Sequence, residues 1–515
     1  MLYHLLYYKL MIEVLNSSQS VNLDNLSIDN NIISESQLID NAGKAVAYHI
    51  IEKFNQPFNK KYLCIAGVGK NGLDAIVCNY YLNLNNINSK LLIINKNKID
   101  FSNMSNYLEE KTVLDINDIT NLSVFDWIID GIFGTGLNRE IEDDYYKIIN
   151  LLNSFKNILS IDMPSGIFAN NGVASNIFIK AKQTISFTYP KIGHFLSKGY
   201  SASGNLFLYN IGHLDSVAMS KINLIDKNDI YSMIKPLNID KHKYLNGKVL
   251  LLAGSSNYTG AALLSGHATI QSGVGVLKQF VPNSLRNILS NNKEAIDIVL
   301  NDCEDGFLSI NNYKQIQKYF DWPDCFIIGP GLSVEKKSVD LVSEILKDFT
   351  GSCILDGSGF LSLFDYDNNN DVFSKLPKKI ILTPHYGELS KILNISVKEL
   401  NNNTIEILTD ISKYLKDRIL VLKGPNTIIV NGSGEMHIIS NGNQLLATAG
   451  SGDVLCGIIA SYVASGYSLQ ESSIIGAYIH SECSRILLND KNENICASKI
   501  IDKISKAQFL LREKL

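Results

Sequence analysis

Thr448-Ala-Gly-Ser-Gly-Asp453 runs straight into the apolar helical segment Val454-Leu-Cys-Gly-Ile-Ile-Ala460. Gly450 and Gly452 let the chain turn tightly before the helix starts. The first N–H groups of that helix then form a site for an anion. Asp453, at its mouth, is a carboxylate base able to take a proton from a substrate hydroxyl; helix capping is the other reading of the hexapeptide alone. Four more glycine-containing loops lie in the same half: Gly254-Ser-Ser-Asn-Tyr-Thr-Gly-Ala-Ala262, Gly329-Pro-Gly-Leu332, Thr383-Pro-His385-Tyr-Gly-Glu388 and Lys423-Gly-Pro-Asn-Thr427. Each follows an apolar strand-like run, where a parallel sheet presents its ligand crevice. A Lys-Gly turn followed by Thr suits contact with a nucleotide phosphate or ribose.

The first half carries a similar series. Gly67-Val-Gly-Lys-Asn-Gly-Leu-Asp74 follows the run Tyr62–Ala66 and precedes a helical pattern, the placement of a phosphate-cradling loop. Asp130-Gly-Ile-Phe-Gly-Thr-Gly-Leu-Asn-Arg-Glu140 and Asp162-Met-Pro-Ser165-Gly follow two further runs. Asp130 and Asp162, with Asn71 and Ser165, offer oxygen ligands to a hard monovalent or divalent cation; each aspartate singly also reads as a turn residue.

Loops of this kind need a scaffold of alternating strands and helices. Strand-like runs at Tyr62–Ala66, Trp127–Asp130, Ile158–Asp162, Thr184–Phe187 and Leu206–Tyr209 alternate with patterns near 3.6 such as Ala75–Leu82 and Tyr145–Phe155. A second series comprises Lys248–Ala253, Cys325–Ile328, Cys353–Leu355, Lys379–Leu382 and Ile419–Leu422. Thr427–Val430 is expected to pair with Met436–Ile439 across Asn431-Gly-Ser-Gly, and Val454–Ala464 and Ser473–Leu488 are the clearest late helices. The Asn-rich stretches Asn83–Asn97, Asn368–Asn370 and Asn401–Asn403 read mostly as polar loops or helix ends. The alternation predicts an α/β protein of two domains, each a parallel sheet with helices on both faces. The polar stretch Asp215–Leu245 places the boundary near residue 220, giving domains 1–220 and 221–515.

Composition narrows the function classes. A chain of 515 residues is long enough for at least two cores. Lys+Arg 47 against Asp+Glu 51 leaves a net charge of −4 with no basic run, which argues against nucleic-acid or membrane partners. Eight cysteines without a C-x-x-C pair form neither a disulfide framework nor a zinc pattern and point to a reducing compartment. The opening MLYHLLYYKLMIEVL is broken by His4 and Lys9 and falls short of the roughly 20 apolar residues that span a bilayer. It reads as an amphipathic first helix of a soluble, cytoplasmic protein.

The ordered set Gly260-Ala-Ala262, Gly329-Pro-Gly-Leu332, Thr383-Pro-His385-x-Gly-Glu388, Lys423-Gly-x-x-Thr427 and Thr448-x-Gly-Ser-Gly-Asp453 resembles the NAD(P)H-hydrate dehydratases, which have a ribokinase-like fold. The resemblance implies repair of NADHX and NADPHX, nicotinamide cofactors carrying a water across the reduced ring. It implies ADP or ATP as co-substrate, with Mg2+. Asp453 would deprotonate the ring hydroxyl, and Gly450–Gly452 would hold the transferring phosphoryl group. Lys423, Gly424, Pro425, Asn426, Thr427 and Gly452 match nucleotide contacts; Ala262, Gly331, His385 and Asp453 match contacts to the hydrate.

The N-terminal segments, together with Asn41-Ala-Gly43 and Lys191-x-Gly193, are similar to the NAD(P)H-hydrate epimerases, which have a Rossmann-like fold. By that resemblance Asn71, Asp130 and Ser165 match potassium ligands. Lys70, Asn71, Gly72, Leu73 and Asp74, then Gly134, Thr135, Gly136, Leu137, Asn138, Arg139 and Glu140, and Asp162 match hydrate contacts. Asp162 is also the candidate acid/base group for R/S interconversion. A homo-oligomer is expected.

Three departures stand out. Asp356-Gly357-Ser358 replaces Asp-Ala-Asp, keeping one carboxylate. Tyr386 stands where Pro is common, a change expected to be tolerated. In the epimerase loop Lys70, Leu73 and Ala75 replace Asn and two glycines; a position needing positive φ would strain Leu73, and Lys70 could repel the ion or bind the cofactor's phosphates. Two other readings stay open at this point: a dehydratase with a non-catalytic N-terminal module, and a ribokinase-like kinase of a small alcohol.

Overall fold

The computed structural model describes residues 11–98, 105–108, 113–114, 122–214, 219–236, 242–303, 305–363 and 370–512. The chain divides into two compact units, Met1–Ile222 and Asn223–Leu515.

In the N-terminal unit seven strands form one parallel sheet: β1 (Lys61–Ala66), β2 (Asn88–Ile93), β3 (Val113–Leu114), β4 (Trp127–Gly131), β5 (Ile158–Ile161), β6 (Gln183–Phe187) and β7 (Asn205–Tyr209), in the order β3-β2-β1-β4-β5-β6-β7. The winding direction reverses between β1 and β4, so the loops after these two strands part around a crevice. Helices α1 (Ser17–Asp29), α2 (Glu35–Lys53), α3 (Lys70–Leu84) and α4 (Asp143–Leu152) accompany the sheet. One apolar layer joins Val46, Ala47 and Ile50 of α2 and Ile76 of α3 to Cys64 and Ile129; the opposite layer joins Ile148, Ile149 and Leu152 of α4 to Leu63, Ile65 and Ile128. Strands sandwiched in this way are apolar on both faces, which is why they read as continuous runs.

The C-terminal unit contains β8 (Lys248–Leu252), β9 (Val276–Pro282), β10 (Ile296–Leu300), β11 (Cys325–Ile328), β12 (Cys353–Leu355), β13 (Ile380–Leu382), β14 (Ile419–Leu422), β15 (Thr427–Val430) and β16 (Met436–Ile439), in the order β16-β15-β14-β13-β12-β11-β8-β9-β10. Pairings are parallel from β10 to β14 and antiparallel from β14 to β16. The expected hairpin is present, with Thr427 opposite Ile439 and Val430 opposite Met436. Helices α5 (Thr259–Gln271), α6 (Tyr386–Leu393), α7 (Ser451–Ala464) and α8 (Leu469–Asn489) carry or support the site; α7 packs on both α5 and α8.

Some expectations need correction. Within the Asn-rich stretch Asn83–Asn97, Asn88–Ile93 is a strand, because Leu91, Leu92 and Ile93 are buried between helical layers. In the opening segment residues 1–10 lie outside the described residues, as do Asn368 and Asn369. Ile12–Glu13 is extended rather than helical: Val14 and Leu15 donate their N–H groups to Ile222 O and Pro190 O, so this backbone is used in pairing. Among the described residues no helix is long and apolar enough to cross a membrane.

Candidate active sites

In the C-terminal unit the loops after β8, β11, β12, β13 and β14 gather before the N-terminus of α7. Gly450 adopts φ +87°, a left-handed turn that sends the chain into the helix. Gly452 lies already within the first helical turn, with no positive φ. The tight turn expected of both glycines therefore rests on Gly450 alone. Ser451 donates its N–H to Thr448 O at 3.2 Å, leaving Gly452 and Asp453 to supply the first-turn donors.

Lys423 stands in front of that turn. Its ammonium lies 3.1 Å from the point where a Cβ on Gly452 would be, and it donates to Asp356 Oδ1 at 2.7 Å. Thr383 Oγ1 donates to the same oxygen, also at 2.7 Å. Asp356, the carboxylate kept from the family pattern, thus fixes the lysine. The Lys423 backbone is tied by its N–H to Pro384 O at 2.8 Å, next to His385. His385 caps α6 through Nδ1, which accepts from Gly387 N and Glu388 N, while Glu388 Oε2 accepts from His385 N. The imidazole remains exposed, at 58% of its side-chain surface.

Burial and the nearby Asp356 carboxylate push Asp453 up to about 7, Lys423 opposing and Glu388 adding to the rise. Glu388 is itself raised, chiefly by burial. An aspartate titrating near neutrality is suited to general-base work. Ala262 is buried in the first turn of α5, and Gly331 turns at φ +62° against Tyr258 and Ala261. Leu264 of the same helix lies against Gly450. Gly424 packs under the Tyr386 ring, so the tyrosine in place of proline is accommodated; Asn426 is buried and Thr427 opens β15.

In the N-terminal unit the crevice between β1 and β4 is tight. A Cβ on Gly67 would lie 2.0 Å from Ile132 O, so only glycine allows the two loops to meet. Asn71, Gly72, Leu73 and Asp74 belong to the first turns of α3. Leu73 is absent from the positive-φ residues and packs on the core of the unit. The strain expected there does not arise, since the family's glycine falls at a helical position. Lys70, the first residue of the helix, pairs with Glu35 at 2.9 Å and approaches Asp24 at 3.9 Å. Its charge is thereby drawn toward carboxylates.

Asp130 is fully buried and accepts from Ser165 Oγ at 2.5 Å, Ser165 N at 3.0 Å, Ser160 Oγ at 2.7 Å and Ile132 N at 3.2 Å. Burial raises its carboxyl group, and the hydrogen bonds from Ser165, Ser160 and Ile132 oppose the rise. Asn71 is buried with neither amide atom hydrogen-bonded. A Cβ on Gly134 would lie 3.2 Å from Asn71 Cγ and 3.3 Å from Asp162 Oδ2, so that loop passes between the two side chains. Asp74 is also buried, and burial with the neighbouring Asp162 holds its carboxyl well above the ordinary range. Thr135, Gly136, Leu137, Asn138, Arg139 and Glu140 continue the Gly134 loop; Thr135 O accepts from Ser17 Oγ at 2.9 Å, and Leu137 is buried.

Sequence reasoning gave no role to Lys191 beyond its motif and none to Ser186 or His194. All three bond Asp162 or its backbone. Their signal, had it been used, is a Lys-x-Gly-His run after a strand. Asn41-Ala-Gly43 serves packing instead: Asn41 Nδ2 donates to Ile211 O, and Gly43 lies against Val77 of α3.

A family model described as NAD(P)H-hydrate dehydratase matches residues 249–506, and one described as YjeF-related protein N-terminus matches residues 35–193. The bifunctional NAD(P)H-hydrate repair enzyme Nnr of Dictyoglomus turgidum is 32% identical over 481 residues, covering 90% of this chain and 92% of that protein. Its counterpart of the same description in Thermofilum pendens is 28% identical over 497 residues, covering 93% of each chain. Among solved structures, the ADP/ATP-dependent NAD(P)H-hydrate dehydratase from Bacillus subtilis, co-crystallised with ATP/Mg2+, covers 56% of this chain and 97% of its own at a TM-score of 0.47 and 24% identity.

Proposed function

The chain belongs to the family of bifunctional NAD(P)H-hydrate repair enzymes, and from that premise we propose how its two sites divide the work. The C-terminal unit dehydrates S-NAD(P)HX to NAD(P)H at the expense of ADP or ATP; the N-terminal unit interconverts the R and S hydrates. The observation that carries the dehydratase reading is the convergence of Asp453, Lys423 and the first turn of α7, with Asp453 poised near neutrality.

Asp453 takes the proton of the ring hydroxyl, whose oxygen attacks the terminal phosphorus of the nucleotide. The N–H groups of Gly452 and Asp453 and the Lys423 ammonium face the charge that gathers on the phosphoryl oxygens. The bond from that phosphorus to the bridging oxygen breaks, releasing AMP from ADP or ADP from ATP; loss of phosphate from the ring together with a proton from the neighbouring carbon then restores the double bond. Lys423 to Thr427 line the nucleotide side, and Ala262, Gly331 and His385 the hydrate side. Magnesium bound to nucleotide phosphates needs only one or two carboxylates to complete its shell; Asp356 and Glu388 are those beside Asp453.

In the N-terminal unit Asn71, Asp130 and Ser165 would hold potassium. The unpartnered buried amide of Asn71 supports this, since an amide oxygen left without a partner in the interior is costly unless a ligand or ion completes it. Potassium would supply a fixed positive charge beside the hydrate. Lys70 does not compete for that place while Glu35 and Asp24 engage it. Asp162 serves as the acid/base group for R/S interconversion at the hydroxyl-bearing carbon, exchanging a proton with the hydroxyl as a bond at that carbon breaks and re-forms on the opposite face.

Incubation of purified protein with mixed R and S hydrate, with and without ADP or ATP, tests both activities. Full recovery of reduced-nicotinamide absorbance near about 340 nm, with phosphate release, is expected. A lasting remainder of R would remove the epimerase, and a stable phosphorylated alcohol would replace the dehydratase with a kinase.

A further inference from the structure

The run Lys191-Ile-Gly-His194 lies in the N-terminal unit with no role in the readings above. Its two polar side chains converge on one residue. Lys191 Nζ donates to Asp162 Oδ1 at 2.6 Å and to Ser186 Oγ at 3.0 Å, and the lysine side chain is only 3% exposed. Ser186 Oγ lies 3.4 Å from the same carboxylate oxygen. His194 Nδ1 accepts from Lys191 N at 3.0 Å, which places the ring proton on Nε2, and Nε2 donates to Asp162 O at 2.8 Å. Burial, with the nearby lysine, pushes this imidazole down to about 4, so it stays neutral and keeps that tautomer.

Asp162 needs such support. It sits at φ +62°, a conformation that costs a non-glycine residue of order 1–3 kcal/mol, at the low end for aspartate, and that its surroundings must hold in place. The two carboxylate oxygens also have different environments. Oδ1 is held by Lys191 and Ser186, whereas Oδ2 faces the Gly134 loop beside Asn71.

We propose that Lys191 and His194 are positioning residues for epimerisation: the lysine clamps Oδ1, the histidine pins the strained carbonyl, and together they turn Oδ2 of Asp162 toward the hydrate. This rests on the epimerase reading above. The lysine is too deeply buried to be a substrate contact and acts through the aspartate.

The test measures R-to-S conversion by the full-length chain, with dehydration of S-hydrate by the same samples as an internal standard. Lys191→Met should lower the epimerase kcat by about 10²-fold or more, the scale of a misplaced acid–base group, with KM for the hydrate within about threefold of wild type. Asp162→Asn should lose as much, and Asp162→Asn/Lys191→Met no more than Asp162→Asn alone, because residues acting as a unit are not additive. His194→Leu should lower kcat about tenfold, and His194→Gln, which keeps an N–H within reach of the carbonyl, should restore most of it. Should Lys191→Met not yield folded protein, the two His194 variants decide the matter. A Lys191→Met enzyme with wild-type kcat, a loss confined to KM, additive losses, or equal losses for His194→Leu and His194→Gln would overturn the proposal. A wild-type chain unable to convert R to S would instead refute the epimerase reading.

Discussion

The titration of Asp453 gives the most direct test of the dehydratase site. With its carboxyl group pushed up to about 7, the basic form rises from about 0.1 of molecules at pH 6 to about 0.9 at pH 8. At nucleotide well below saturation, kcat/KM for the S-hydrate should therefore rise about tenfold across that interval, since the free enzyme's ionisations then govern it. An aspartate in the ordinary range would leave the profile flat. Asp453→Asn should lower turnover by about 10²- to 10⁴-fold and abolish the limb, any residual slope belonging to the nucleotide's own phosphates. Lys423→Met removes a cation that draws the pKa down, so the limb should move to higher pH. The same shift has a sign for stability. The folded chain holds the Asp453 proton more tightly than the unfolded chain, so this group costs stability as pH climbs from about 4 to about 7. Asp453→Asn should accordingly gain stability at pH 8, by no more than about 4 kcal/mol. A flat wild-type profile, or a limb that survives in Asp453→Asn, would refute the assignment of the base.

The other two expectations concern the N-terminal unit. Leu73→Gly should not raise epimerase activity; it should cost about 2 kcal/mol in denaturant unfolding, from helix propensity and lost apolar burial, and a faster epimerase would show that the loop is strained after all. Exchanging potassium for a bulky quaternary ammonium should remove most R-to-S conversion while dehydration keeps its rate, and equal effects on both activities would dissociate the ion from Asn71, Asp130 and Ser165.

The strands that carry these loops were legible because burial on both faces makes them uninterrupted apolar runs, as at Phe326–Ile328 or Leu420–Leu422. The hairpin from Thr427 was legible for a local reason, a glycine-rich turn between two short apolar runs. Strand β2 was not, because asparagines crowd its start; nor were β9 and β10, where Lys278, Gln279 and Asp297 interrupt the pattern. Among the candidate site residues, Asp453 was singled out by a glycine turn running into a helix together with four further glycine-containing loops; on the hexapeptide alone helix capping read as well. The left-handed backbone of Asp162 could not be read, since no local rule demands it of an aspartate and the constraint comes from residues more than twenty positions later. Leu73 and Gly452 were misjudged for a shared reason: a glycine-rich motif does not show where the loop stops and helix begins.

Where α7 crosses its neighbours the spacing is unforgiving. A methyl group on Gly457 would lie 2.4 Å from Ser265 O, and one on Gly476 2.6 Å from Ile459 Cγ1. Three helices in contact this close cannot slide or tilt independently, which holds Asp453 fixed against the rest of its unit. A side chain at either crossing would push these helices apart and carry Asp453, one turn before Gly457, out of its place.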